Sequence, residues 1–214
     1  MPLPWDYLTL ADRVGAAFEG AEAALRLEQA VYGLDARDEK SIHALLAEAL
    51  AQHYEVAREV HYPSTAGKKL SHRMRCDLVL SEKGRPLKLD SAAPSLFDPA
   101  NQATSSESFW LEVKVAYQFR EGGLRHMGYG PQWRTAVVED LRKMEADQLI
   151  RAAGLLLVVF NESRDVLEKD LELFELVLAQ KEVLAGFRQV RSVPILDRIG
   201  HTVCTAALWP TIQR

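Results

Sequence analysis

The sequence predicts an α/β protein: a mixed central β-sheet flanked by helices, with an N-terminal helical extension over residues 1–37 and one domain over 38–214. Three observations carry that reading. Helical and extended periodicities follow one another in the order helix, helix, three strands, helix, strand, helix, strand. The three consecutive strands suggest antiparallel pairing, whereas the helix between "FWLEVKVAY" and "GLLLVVF" suggests a right-handed crossover to a parallel neighbour. The chain has 214 residues, of which 48% are hydrophobic and 26% charged. That is enough to bury a substantial core in one domain.

Residues from Asp6 to about Tyr32 are rich in Ala, Leu and Glu without an internal Pro, which predicts a long helix ended by Gly33. Asp38 is a fitting cap for a second helix running to about Gln52, whose Ile42, Leu45, Leu46, Ala49 and Leu50 recur at helical spacing. "YEVAREVHY" alternates and stops at Pro63, as a strand would, and "CDLVL" is a second strand closed by the turn "EKGRP". From Leu89 to Ser108 small and polar residues show no periodicity, which predicts a long mobile loop. "FWLEVKVAY", Phe109 to Tyr117, is the third strand. After the Gly-rich turn "EGGLRHMGYGP" come a helix from about Gln132 to Ala153, the strand "GLLLVVF", a helix from about Arg164 to Leu184, and a last β segment around "HTVCTAALW".

Composition narrows the function classes. The net charge of −4 argues against a protein that coats nucleic acid along its whole surface, but not against a local site. Lys68, Lys69, His72, Arg73 and Arg75 cluster within "AGKKLSHRMR", which reads equally as a nucleic-acid contact or as a solvated hairpin tip. No apolar run is long enough to span a bilayer, and the first ten residues lack a secretory pattern, so a cytoplasmic location without membrane contact is expected. Cys76 and Cys204 have neither metal-ligand nor disulfide spacing and read as small buried hydrophobes. His43 and His61 read as satisfied structural histidines.

The third strand holds an oddity. Glu112 and Lys114 are two positions apart, so both point to one face of an otherwise apolar strand. A solvated ion pair is one explanation, a site the other. If the second and third strands pair, Asp77 joins them. Two carboxylates with open positions between them suit a magnesium ion, which stabilises charge on a phosphate and lowers the pKa of an attacking water. An ammonium alongside can hold that water or steady the transition state.

A strand-borne Asp, a variable gap and a Glu-x-Lys triplet between apolar residues, in this order of elements, resembles the PD-(D/E)xK nuclease superfamily over about Asp38 to Phe160. Cys76 stands where the superfamily's name has Pro. The resemblance implies a restriction endonuclease-like fold and a metal-dependent nuclease of endonuclease type acting on DNA, in defence or repair. Asp77, Glu112 and Lys114 would be catalytic, with Asp77 and Glu112 holding Mg2+ or Mn2+. It also implies a further acid on the helix before the first strand. Glu39 lies at the edge of that helix's apolar face and Glu48 points away, so Glu39 is the choice, and a favourable acid in a helix's first turn is the alternative. Nucleic acid would meet Lys68, Lys69, Arg73, Arg75 and Lys143, the last on the helix after the third strand, where an exposed mixed-charge surface is the other reading. DNA is the expected partner, with a homodimer or partner proteins of a defence or repair system besides. Two other classes stay open: an inactive nuclease-fold module serving as a binding or scaffold subunit, favoured by low basicity, and a chance motif in an unrelated α/β protein.

Overall fold

The computed structural model describes residues 5–65, 74–88, 101–196 and 200–212. Helix α1, Tyr7–Leu27, starts where the Asp6 carboxylate accepts the backbone N–H groups of Leu8 and Thr9, each at 3.0 Å. It ends short of the expected Tyr32 because Gln29 turns into the left-handed region at φ 52°. Helix α2, Glu39–Leu50, is capped by Asp38, which accepts from Ser41 N at 2.8 Å. It buries Ile42, Leu46 and Leu50, the stripe that its periodicity predicts.

Strands β1, Tyr54–His61, and β2, Arg75–Glu82, form an antiparallel pair. Strand β3, Phe109–Tyr117, runs antiparallel to β2, and β6, Ala152–Asn161, runs parallel to β3. Between β3 and β6 lie a small hairpin of β4, Phe119–Arg120, and β5, Leu124–Arg125, and the helices α3, Tyr129–Arg134, and α4, Ala136–Ala146. Helix α5, Arg164–Gln180, leads to β7, Gln189–Pro194, and β8, Val203–Pro210. The six-stranded sheet has the order β1-β2-β3-β6-β8-β7. It is mixed, and helices cover both faces. The layer under α1 and α2 is built on Leu78, Leu111, Val113, Leu156 and Val158, and the layer under α4 and α5 on Val79, Trp110, Leu155, Leu157, Leu141 and Phe174. Strand β6 is buried over nearly its whole length because it is covered on both sides. Cys76 and Cys204 are free and fully buried. Among the described residues no helix is long and apolar enough to cross a membrane.

Four expectations need correction. The single helix over Gln132–Ala153 is two helices broken at Thr135, and it stops at Ala146 because the Asp147 carboxylate accepts the backbone N–H of Ser64 at 3.0 Å and of Leu149 at 3.1 Å. The helix expected to reach Leu184 ends at Gln180, with Glu182 left-handed at φ 55°. Strand β7 was not foreseen, since "QVRSVP" is a half-polar edge segment. The loop from Leu89 to Ser108 is not loose over its described part, 101–108. Lys88 N donates to Ala103 O at 2.8 Å, Ala103 N to Pro86 O at 3.0 Å, and Arg85 pairs with Glu107 at 3.0 Å. Trp110 Nε1 also donates to Ser105 O at 3.0 Å. Residues 89–100 lie outside the described residues.

Candidate functional site

The ladder between β2 and β3 stops at the pair Leu78↔Leu111. One step further the strands part, and Asp77 turns its Oδ2 to accept the backbone N–H of Val113 at 2.8 Å. A side chain thus occupies a place that a ladder carbonyl would fill, and the carboxylate is held in the opening. Glu112, next along β3, faces the same side as Asp77 and Lys114. It is 2% exposed.

Three other elements close on this opening. From α2, His43 brings Nδ1 to 3.8 Å from Asp77 Oδ1 and Nε2 to 3.2 Å from Val113 O, while Glu39 Oε1 lies 3.8 Å from His43 Nε2 and 3.9 Å from Lys114 Nζ. Past the end of β1, Tyr62 is stacked on Trp110 and donates its hydroxyl to Glu112 Oε1 at 2.6 Å. From α4, Asp140 sets Oδ2 3.4 Å from Lys114 Nζ and Oδ1 2.5 Å from Lys143 Nζ, and Lys143 Nζ is 3.4 Å from Glu112 Oε1. Across β1 from Asp77, Glu59 has a left-handed backbone at φ 53°, rare and costly for a residue with a Cβ. His43, Glu59 and Asp77 can each offer a ligand atom, all within 4.8 Å of one another.

The charges are unbalanced towards the negative. Burial pushes the Glu112 carboxyl up to about 8, with the Asp77 and Asp140 carboxylates adding to the effect. Burial also raises Asp77, against the lowering contributions of the Glu112 contact and the Val113 N–H. The two neighbouring acids thus hold a proton that ordinary carboxyls would release. Burial pulls the Lys114 ammonium down, yet Asp140, Asp77, Glu112 and Glu39 outweigh it and its pKa stands above the usual value. Lys143 follows the same rule, with Asp140 as its main support. His43 is lowered, first by burial, so it is neutral near pH 7. If Nε2–H donates to Val113 O, the lone pair of Nδ1 confronts the Asp77 carboxylate. Two acceptors facing one another, beside a carboxyl that needs a proton, are relieved by a cation. The imidazole of His43 and the carboxylates of Glu59 and Asp77 could hold a metal ion.

Of the residues expected from sequence, Asp77, Glu112, Lys114 and Glu39 are brought together. Lys143, a basic residue on the helix after the third strand, faces this cluster, against Glu112 and Asp140, and is not part of an exposed mixed-charge surface. Arg75 is exposed at the start of β2 and touches none of them. Lys68, Lys69 and Arg73 lie outside the described residues. His43, Glu59, Tyr62 and Asp140 were not foreseen as site residues. His43 is the one with a signal in the sequence, since it follows Glu39 by four positions and so shares its side of the helix. His61, read as satisfied, has a buried Nδ1 with no hydrogen-bond partner among the described residues. No family model, no curated protein and no solved structure matches the chain, so these side chains and their distances are the ground for assigning a function.

Proposed function

We propose that the chain is a divalent-cation-dependent nuclease of PD-(D/E)xK type that hydrolyses phosphodiester bonds of DNA. One observation carries the reading: Asp77, Glu112 and His43 converge where β2 and β3 part, with the Lys114 ammonium on the same face. Asp77 and Glu112 would hold the metal, with His43 Nδ1 and Glu59 as further donors. Bound there, Mg2+ or Mn2+ supplies a Lewis acid for the phosphate and a water of lowered pKa. Asp77 is fixed by the Val113 N–H and Glu112 by the Tyr62 hydroxyl, so neither carboxylate has to reorganise. Lys114 orients the attacking water and offsets charge developing on the phosphate oxygens, and Asp140 and Glu39 hold its ammonium in place.

The test is cleavage of linear, circular, single-stranded and branched DNA, and of RNA, with Mg2+ and with Mn2+. Asp77→Ala removes a ligand and abolishes cleavage without unfolding the chain. Lys114→Ala keeps metal binding and slows the chemical step by roughly 10²–10⁴-fold. Undiminished cleavage by Asp77→Ala refutes the assignment. A second reading, an inactive module serving as a binding or scaffold subunit, is favoured by one contact. Lys143 already places an ammonium against Glu112, which gives that buried carboxyl a partner from within the chain. Absence of cleavage on every substrate, together with a melting temperature that metal does not move, decides for the module.

A further inference from the structure

We propose that the cavity beside the N-terminus of α2 binds one unpaired nucleotide of a nucleic-acid strand, so that the substrate is single-stranded or frayed where it meets the protein. The identity of the ligand rests on the nuclease reading; the cavity itself does not. Its volume is about 970 Å³, at the upper end of ordinary small-molecule sites. Asp38 and Tyr117 line it. Asp38 directly precedes Glu39, whose Oε1 lies 3.9 Å from Lys114 Nζ, and Tyr117 sits three residues beyond Lys114, on the other face of β3. The cavity therefore adjoins the site through the N-terminus of α2.

The lining has two parts, and they suit the two parts of a nucleotide. Tyr32, Tyr117 and Phe119 present aromatic rings. Tyr32 is 60% exposed, a large ring left in water at the rim. Tyr117 is stacked on Phe160 with an interplanar angle of 2°, so its plane is fixed. Arg37 and Arg120 supply the cations, and among the described residues neither guanidinium has an ion pair or a hydrogen bond. The acids of the same wall are already engaged. Asp35 accepts from His201 Nδ1 at 3.0 Å, and Asp38 accepts from Ser41 N at 2.8 Å. His201 is spent as well, since its Nε2 accepts from Phe119 N at 3.0 Å. His126 donates through Nδ1 to Tyr117 O at 3.3 Å, and its Nε2 has no hydrogen-bond partner among the described residues. What remains uncommitted is two guanidinium groups, one ring nitrogen and an aromatic wall. Guanidinium binds phosphate in a bidentate manner, and exposed aromatic rings stack on bases of any sequence. A base held in a concave pocket has left its partner, which a continuous duplex does not allow without flipping.

The measurement is fluorescence anisotropy with a short labelled single-stranded DNA oligonucleotide in EDTA, where no cleavage occurs, alongside a blunt duplex of the same sequence. Arg120→Ala and Tyr32→Ala both truncate exposed side chains, and unchanged melting temperatures verify that the fold persists. Each raises the Kd for the single strand by roughly fivefold to a hundredfold, the range that loss of one stacked base or phosphate contact produces, and leaves duplex binding unchanged. An unaltered single-strand Kd in both variants, or an equal loss on the duplex, overturns the proposal even if the parent cleaves DNA. The expected loss in a parent that cleaves nothing with Mg2+ or Mn2+ upholds the pocket and refutes the nuclease.

Discussion

Replacing Glu112 with Gln should make the chain more stable at pH 8 and flatten its dependence on pH. The side chain is 2% exposed, and its carboxyl is pushed from 4.5 to about 8 by burial and by the Asp77 and Asp140 carboxylates. An acid raised in the folded state contributes stability that is complete below its unfolded value and lost as pH climbs through the folded one. Between 4.5 and about 8 the folded chain keeps a proton that the unfolded chain has released, so stability falls with pH. At about 1.4 kcal/mol per pH unit, the whole window amounts to on the order of 5 kcal/mol. Gln keeps the shape, still accepts from the Tyr62 hydroxyl, and turns an amide N–H towards Asp77. His43 works in the opposite direction just below 6.5, because its folded value is lowered, and its contribution is common to both proteins and cancels in the difference. The assay is urea unfolding of parent and Glu112→Gln at half-unit steps from pH 5 to 8.5, without metal. The difference in stability should grow with pH in favour of Gln and level off above pH 8. Millimolar Mn2+ should flatten the parent's own curve, because a cation takes the place of the proton. A difference that is constant with pH, or one that shrinks towards pH 8, would refute the idea that the buried pair retains a proton.

Two further outcomes follow from packing. Tyr62→Phe removes the only hydroxyl donor to Glu112 among the described residues and should cost about 1–3 kcal/mol in urea unfolding, with the pH midpoint of the parent curve moving upward because that hydrogen bond favours the ionised carboxyl. Gly154→Ala should destabilise by about 1–3 kcal/mol, since a Cβ there would lie 2.9 Å from Phe109 Cζ and 3.0 Å from the Trp209 carbonyl; a change within experimental error would show that the centre of the sheet can give way.

Much of the sheet was legible because strands announce themselves locally. "FWLEVKVAY" and "GLLLVVF" carry their burial in their own composition, and the helix between them forces a parallel crossover. The stripe of Ile42, Leu46 and Leu50 gave the buried face of α2 in the same way. Boundaries set by side chains reaching across the fold were not legible. Asp147 ends α4 by binding Ser64, a residue far away in the chain. Strand β7 owes its existence to pairing with β8, which its mixed polarity hides. In the site, parity alone puts Glu112 and Lys114 on one face, and pairing of β2 with β3 adds Asp77. Tyr62 and Asp140 could not be found this way, because what brings them to Glu112 and Lys114 is the path of the chain after β1 and the packing of α4 against β3 and β6.

The site where β2 and β3 part is assembled from widely separated stretches of the chain. Its residues come from α2, β1, β2, β3 and α4, so an intermediate that lacks any of these elements lacks the cage. An ion that binds there recognises only the completed chain. Its affinity is added to the stability of the native state, by about 2.7 kcal/mol when the ion is at a hundred times its Kd. If the site closes only after the transition state, the stabilisation falls on the unfolding step, since contacts absent from the transition state slow unfolding without hastening folding. The metal would act as a latch on a finished structure, and its signature is a slower unfolding rate at an unchanged refolding rate.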